Sequence, residues 1–103
     1  MHFAQGFIWE HALVFGALAA QARPRLRQRR VRHTERVFGL LQNGYVHEAY
    51  VVRLLAQLPP GDSELYSHPS LDEFRHEFEA LLSPRVLAAV EAGKIELIRY
   101  QDL

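Results

Sequence analysis

The sequence predicts an α/β fold with about three parallel strands and four helices, and three observations lead to it. The short runs 37–41, 63–68 and 95–100 have the length of strands, and 37–41 is apolar. Segments of helical periodicity separate these runs, and strands separated by helices favour parallel pairing through right-handed crossovers. Turn residues such as Pro59-Pro60-Gly61 mark the boundaries. The predicted order is α, β, α, β, α, α, β, which leaves both edges of a three-stranded sheet open.

The first predicted helix covers residues 7–22, and an arginine-rich segment follows it. Apolar side chains recur at three- and four-residue steps in this helix, at Ile8, Ala12, Phe15, Leu18, Ala19 and Ala22. Pro24 is expected to end or kink the helix, because proline lacks the N–H that a helix interior needs. Arginines dominate residues 25–32, which fits either a further helical turn or a solvated linker.

The middle of the chain predicts a strand and then a helix. Residues 37–41 are apolar without alternation, which suits a strand buried on both faces, and Gln42-Asn43-Gly44 ends the run. Residues 46–58 predict a helix whose apolar stripe is Val51, Leu54, Leu55 and Leu58. Pro59-Pro60-Gly61 ends this helix.

A histidine ends the second predicted strand. Residues 63–68 lead to His68, and Pro69 prevents the strand from continuing. Ser70 and Glu73 have the capping-box spacing, which predicts a helix over 73–82 with an apolar stripe at Phe74, Phe78, Leu81 and Leu82. Because parallel α/β folds bind ligands at the carboxyl ends of their strands, His68 is the leading functional candidate.

The end of the chain predicts one more helix and one more strand. Ser83 has the features of an N-cap, since Pro84 follows it at the first helical position. This helix is expected to reach Ala92, with Gly93 as its left-handed C-cap residue. Residues 95–100 predict the last strand.

Length and composition predict a single domain over residues 1–103, with a helix at 1–24, an arginine-rich connector at 25–36 and β/α units at 37–103. The absence of cysteine excludes disulfides, thiol catalysis and cysteine-rich zinc sites, and it fits a reducing, cytoplasmic location. Residues 1–36 carry seven arginines against two acids, whereas residues 62–103 carry nine acids against four bases. The two ends are expected to attract each other, within a chain or between chains.

The amino-terminal segment is not expected to cross a membrane. It has no secretory leader pattern, and its uninterrupted apolar stretch, 12–20, is far shorter than the ~20 residues that a span requires. Peripheral membrane contact stays open, with the apolar face on the lipid and the arginines at the headgroups. Nucleic acid is a disfavoured partner of the arginines, because no aromatic residues are interleaved with them.

Three segments of the chain together resemble one protein family. They are Arg32-His33-Thr34-Glu35-Arg36-Val37-Phe38-Gly39-Leu40, the run 54–69 that ends in His68-Pro69, and the tail 82–100. In order and spacing they resemble the YdjC-like carbohydrate deacetylases, most closely the hopanoid-biosynthesis-associated (HpnK) branch. The resemblance covers about residues 25–103. Ser70 stands where that family usually has a glycine after its His-Pro.

The resemblance implies a distorted (β/α) barrel, of which this chain would be a fragment, and metal-dependent removal of N-acetyl groups from amino sugars. In that chemistry a divalent ion, held by an aspartate and histidines, polarises the amide carbonyl, and a carboxylate acts as general base. The family motifs for the ion and the base lie in its amino-terminal half, and this sequence has neither a paired Asp-Asp nor a His-x-x-x-His. We therefore expect a carboxyl-terminal part with no metal site or cofactor of its own, inactive alone, whose partner is the missing half.

Under this resemblance the expected ligand is an amino sugar or a glycosylated lipid. His68 is the candidate catalytic and substrate-binding residue, as a hydrogen-bond donor to a developing oxyanion, and Arg36 and Glu35 are further substrate-binding candidates. Each has a plainer alternative: His68 as an ordinary strand-end histidine, and Arg36 and Glu35 as a cap or an ion pair at the rim. His76 is expected on a solvated helix face, because two ligands on one exposed helix make a weak metal site.

A second function fits the same sequence. The open sheet edges and the apolar first helix suit a non-catalytic binding or oligomerisation module, which would pair as a homo-oligomer or fold with a partner.

Overall fold

The computed structural model describes residues 2–103, with side chains described at 13, 14 and 16–103. In this part the chain forms four α-helices and a pair of strands: α1 (His2–Gln28), β1 (Arg36–Phe38), α2 (Glu48–Ala56), β2 (Ser63–Leu65), α3 (Arg75–Leu82) and α4 (Pro84–Ala92). Short 3₁₀ turns cover Leu40–Gln42 and Tyr100–Asp102. The chain divides into two compact units, Met1–His33 and Thr34–Leu103.

The first unit is α1 and the turn that ends it. The helix continues through Pro24 to Gln28, so the expectation that Pro24 ends it is wrong. A Schellman motif closes it instead: Val31 N–H donates to Leu26 O at 2.9 Å, and Arg30 has a left-handed φ of 54°.

The predicted apolar stripe of α1 is only partly described. Ile8, Ala12 and Phe15 lie outside the described side chains, and Leu18 is exposed. No helix in the described part of the chain is long and apolar enough to cross a membrane.

The sheet of the second unit is a short parallel pair, which confirms the predicted strand direction. Arg36 pairs with Ser63 and Phe38 with Leu65. Both strands are shorter than predicted. β1 ends at Phe38 because Gly39 turns the chain away with a φ of 97°, and β2, having lost its partner, ends at Leu65. His68 therefore lies three residues beyond the strand instead of at its last position.

The predicted third strand is absent from the described chain, where residues 95–99 have no regular structure. Two backbone donors of this segment bond locally. Ile95 N–H donates to Val90 O at 3.0 Å, and Arg99 N–H donates to the Asp102 carboxylate at 3.0 Å and closes the 3₁₀ turn. Leu97 is 80% exposed. The apolar run predicted a strand, but no neighbouring strand in this part of the chain pairs with it.

One of the predicted helix caps of the second unit is confirmed. α4 has the predicted bounds, and the Ser83 hydroxyl accepts from Arg85 N–H at 3.1 Å. The left-handed residue after α4 is Lys94, with a φ of 51°, so the assignment of that role to Gly93 is wrong by one position. The predicted capping box of α3 is wrong. The helix begins at Arg75, two residues later than predicted, its N-cap is Phe74, and Ser70 accepts from Phe74 N–H at 2.8 Å without capping the helix.

The core lies where α2 packs against α3 and α4. Its buried apolar side chains are Val46, Val51, Ala80 and Val86, with Tyr50, Val52, Leu55 and Leu65 packed around them. The predicted stripe of α2 is confirmed at Val51 and Leu55. The predicted stripe of α3 is confirmed only in part. Phe74 and Phe78 are half-buried, but Leu81 and Leu82 are exposed, and the helix buries Glu77 and Ala80.

Candidate functional site

Five side chains gather beyond the carboxyl ends of the two strands. They form what we call the His68 cluster: Tyr66, His68, Phe74, His76 and Glu77. Because β1 and β2 are parallel and in register, the chain leaves the sheet at the same end after each strand. Tyr66 and His68 come from the segment after β2, and the other three come from the start of α3.

Gly39 allows the two strand ends to touch. Tyr66 N–H donates to Phe38 O at 2.7 Å just before the two segments separate. A Cβ at position 39 would overlap the Tyr66 carbonyl oxygen, and the φ of 97° is itself strained for any side chain. Glycine is therefore required at the base of the cluster.

The His68 ring is held by neighbours on two sides. Its Nε2 lies 2.8 Å from the Tyr66 hydroxyl, in a hydrogen bond whose direction depends on the histidine tautomer. The Tyr66 ring meets it edge-on at 4.7 Å between centroids, and the Phe74 ring lies at 5.8 Å. Among the described residues no hydrogen bond to Nδ1 is present.

Glu77 is the buried charge of the cluster. Its side chain is 0% exposed, and its Oε1 accepts from His68 N–H at 2.8 Å. Its Oε2 has no hydrogen-bond partner among the described residues, and the nearest histidine nitrogen, His76 Nε2, is 3.9 Å away. His76 Nε2 instead donates to Gly44 O at 2.6 Å. The expected solvated face is confirmed at His76, whose side chain is 45% exposed, although the next residue, Glu77, is buried.

Glu35 and Arg36 lie at the other end of the strand pair. Glu35 N–H donates to Asp62 O at 3.0 Å, and Arg36 Nη1 donates to Pro60 O at 3.2 Å and to the Glu35 carboxylate at 3.3 Å. These contacts hold the turn that precedes β2. The structure therefore does not bring Arg36 and Glu35 together with His68.

A groove of about 720 Å³ also lies away from His68. Its walls come from residues 58–65 and from the tail after α4. Tyr100, in this wall, hydrogen-bonds Glu64, which raises the pKa of the Tyr100 phenol. Arg99 pairs with Asp102 at 3.1 Å. The His68 cluster is the better candidate for chemistry, because it lies beyond the carboxyl ends of the two parallel strands, where α/β folds bind ligands.

The described residues do not provide a metal centre. No group of three histidine, cysteine, aspartate or glutamate side chains is placed to hold an ion there. In the His68 cluster both histidine Nε2 atoms have other partners, Tyr66 and Gly44.

The sequence did not predict the burial of Glu77 or the hydrogen bond between Tyr66 and His68. The alternation of the strand placed Tyr66 and His68 on one face, which is the signal that could have paired them. Helical periodicity places position 77 on the predicted apolar face of α3, three residues after Phe74 and four before Leu81, but a glutamate is not expected to be buried there. Only the packing of that helix beside the segment 66–68 reveals it.

Comparison with known proteins gives a family and no close relative. The family model for YdjC-like proteins matches residues 2–92. The match begins earlier than the resemblance at 25–103 and ends within the tail segment 82–100. No curated protein and no solved structure matches significantly. Since the matched residues are most of the chain, the protein belongs to the YdjC-like family, which is generally related to carbohydrate deacetylases.

Proposed function

We propose that this chain supplies part of the sugar-binding face of a carbohydrate deacetylase that acts on N-acetyl amino sugars, with His68 as the contact residue. The observation that supports this most is the fixed His68 ring beyond the carboxyl ends of two parallel strands. A ring N–H held there suits a hydrogen bond to an acetamido carbonyl or a sugar hydroxyl. Family membership supports the substrate class.

The barrel is part of the same proposal. A parallel pair whose strands are joined through a helix is the repeating unit of a (β/α) barrel, and β1, α2 and β2 follow that order. In such barrels ligands bind at the carboxyl ends of the strands, where His68 lies, and residues at the amino-terminal ends serve stability. Arg36 and Glu35 lie at the amino-terminal ends, where their bonds to Pro60 and Asp62 suit a structural role better than substrate contact.

We further propose that this chain alone does not release acetate. The resemblance implies a divalent ion, but the donor groups described here do not fit one. Ion ligands and a general base would have to come from other residues, as the family's amino-terminal motifs suggest. We derive no step through an ion from this structure.

The lipid-linked form of the substrate is the finer part of the proposal. It rests on the resemblance to the hopanoid-associated branch. The high density of arginine between residues 23 and 36 supports it, because such a segment attracts anionic headgroups. Binding of the chain to vesicles with and without anionic lipid measures headgroup attraction independently of sugar recognition.

Titration with an N-acetylglucosamine oligosaccharide tests the sugar site. We expect measurable binding by the wild-type chain, and a loss of about tenfold or more in the H68A variant, because a positioned donor is removed. H47N is the matched control. His47 lies outside the His68 cluster, and asparagine can replace its ring nitrogen as the acceptor of Tyr50 N–H at the start of α2, so affinity should stay unchanged.

The same preparations are then assayed for acetate release with added Zn²⁺, Mg²⁺ or Mn²⁺. We expect none. Equal sugar binding by wild type and H68A would refute the role of His68, and acetate release by the purified chain would refute the proposed inactivity while supporting the deacetylase class.

A non-catalytic assembly module remains the second candidate. The observation in its favour is exposed apolar surface: Leu13 and Val14 on α1 are 72% and 57% exposed, and Leu71 and Leu97 are also exposed. Each strand of the described pair also has one unpaired edge. Sedimentation equilibrium decides this case, because a well-folded monomer at micromolar concentration would contradict assembly.

A further inference from the structure

Glu77 is the least expected side chain in the second unit. It is a carboxylate with 0% exposure on a helix in which half of the residues are polar. Burying a charge is costly unless the charge is hydrogen-bonded, and one of its two oxygens has no such partner among the described residues. A buried glutamate with one oxygen lacking a hydrogen bond contributes poorly to stability. The position of Glu77 is therefore better explained by the group that it holds in place.

What Glu77 holds is the main chain of His68. Its Oε1 accepts the His68 N–H at 2.8 Å, across nine residues of sequence. On the amino-terminal side, Tyr66 N–H is fixed to Phe38 O at 2.7 Å, and on the carboxyl-terminal side Pro69 restricts φ. The segment 66–69 is thus fixed at three points, and Glu77 supplies the one in the middle.

The ring of His68 depends on this main-chain anchor. Its Nε2 reaches the Tyr66 hydroxyl at 2.8 Å, and its face lies near Phe74, which is three residues before Glu77. A shift of the His68 backbone would move the ring relative to both neighbours. The carboxylate bonds to the His68 N–H and not to a ring nitrogen, so its influence passes through the backbone.

Glu77 also lies between the segments that follow the two strands. Its Oε2 is 3.9 Å from His76 Nε2, and His76 Nε2 donates to Gly44 O at 2.6 Å, in the segment after β1. One turn of α3 therefore contacts the chain beyond both strands. The arrangement is that of a residue that sets the relative position of the segments around His68.

From these contacts we propose that Glu77 is a positioning residue that sets the orientation of His68 toward the amino sugar. The inference rests on the proposed function of His68 as the sugar contact. The inference adds one claim: the hydrogen bond from His68 N–H to Glu77 determines how tightly the His68 ring binds the sugar.

The test compares E77L, which removes the acceptor, with E77Q, which keeps an acceptor oxygen at the same place. In a titration with an N-acetylglucosamine oligosaccharide, E77L should bind at least about fivefold more weakly than wild type, and E77Q should stay within about twofold. The double variant E77L/H68A should bind no more weakly than H68A, because both changes act through one contact. Rescue by glutamine distinguishes positioning from a need for negative charge.

A second measurement does not depend on sugar binding. In ¹⁵N-labelled protein the His68 amide should be protected from hydrogen exchange in wild type and E77Q, and should exchange at least about tenfold faster in E77L. If E77L does not fold, E77Q decides the case: E77Q binding as weak as that of H68A, or a His68 amide that exchanges freely in wild type, overturns the proposal.

The two hypotheses fail in different ways. If wild type and H68A bind the sugar equally, the proposed function is wrong, whatever the amide exchange shows. If H68A loses affinity while folded E77L binds like wild type, the function stands and the role of Glu77 is wrong.

Discussion

At the scale of single residues, the chemistry depends on a few positions whose side chain, or lack of one, sets a specific contact. Gly39 permits the contact between the strand ends, and Glu77 fixes the main chain of His68. Tyr66 and Phe74 then hold the ring. Each of these side chains is ordinary by itself. The site arises because separate short segments place them within hydrogen-bond or ring-contact distance of one histidine.

Gly39→Ala should destabilise the second unit by about 2–4 kcal/mol, because the new Cβ meets the Tyr66 backbone at a strained φ. Urea unfolding followed by circular dichroism measures this. Gly16→Ala is the matched control: a Cβ added at this position of α1 would meet nothing within 4 Å, so alanine there should be neutral or mildly stabilising. Equal stability of Gly39→Ala and wild type would contradict the close contact.

At the scale of elements, the helix ends explain most of the local structure. α1 and α4 both close with a basic residue in the left-handed position, Arg30 and Lys94. The basic side chain favours the negative end of the helix dipole, but its Cβ is strained at positive φ. Glycine is the usual residue at this position, and here it precedes Lys94 by one residue.

Lys94→Gly should therefore stabilise the protein by about 0.5–1 kcal/mol, since relief of the left-handed strain outweighs the lost charge. Thermal unfolding monitored at 222 nm is the measurement. Lys94→Ala keeps the Cβ and loses the charge, so it should bring no gain. A melting temperature raised equally by both substitutions would locate the effect in the charge and not in the backbone.

At the scale of the whole molecule, stability rests on a small core and on polar connections between helices. Only four apolar side chains of the described residues are fully buried. Glu48 at the start of α2 accepts from Ser83 Oγ at 2.7 Å and from Arg85 Nη1 at 2.8 Å, which joins α2 to α4. The Ser83 hydrogen bond lowers the pKa of the Glu48 carboxyl, with Arg85 adding to the effect.

This lowered pKa gives a pH dependence with a defined sign. Because the folded state holds the Glu48 proton less tightly than the unfolded state, its contribution is complete above about pH 4.5, the ordinary glutamate value, and is lost as pH falls through the folded pKa. The pKa values of Asp72 and Asp102 are lowered too, by hydrogen bonds from the Glu73 backbone and the Arg99 side chain. Stability should thus fall as pH drops below about 5, measured by urea unfolding from pH 7 to pH 3.

Ser83→Ala is the informative variant for this profile. It should cost about 1 kcal/mol at pH 7 through the lost N-cap, and its stability should fall less steeply in acid because Glu48 loses its main hydrogen-bond donor. A Ser83→Ala profile parallel to wild type would contradict the assigned cause. Ser63→Ala is the control, since its buried hydroxyl has no partner among the described residues and its loss should be neutral.

The sequence alone determined the features that depend on near neighbours. Helix periodicity and caps placed α2 and α4, and the β–α–β order predicted parallel strands. The His-Pro segment pointed to His68, because a proline after an apolar run has a local steric consequence. Caps, turns and periodicity act over a few residues, so they can be recognised without knowing the rest of the fold.

Tertiary structure alone decided which apolar run is a strand and which glutamate is buried. Residues 95–99 resemble a strand, but pairing requires a neighbour, and none pairs with them in the described chain. Glu77 faces inward because a backbone N–H nine residues earlier needs an acceptor. Arg36 and Glu35 are close in sequence to a strand but lie at its far end. Such outcomes depend on contacts between distant segments, which local pattern does not encode.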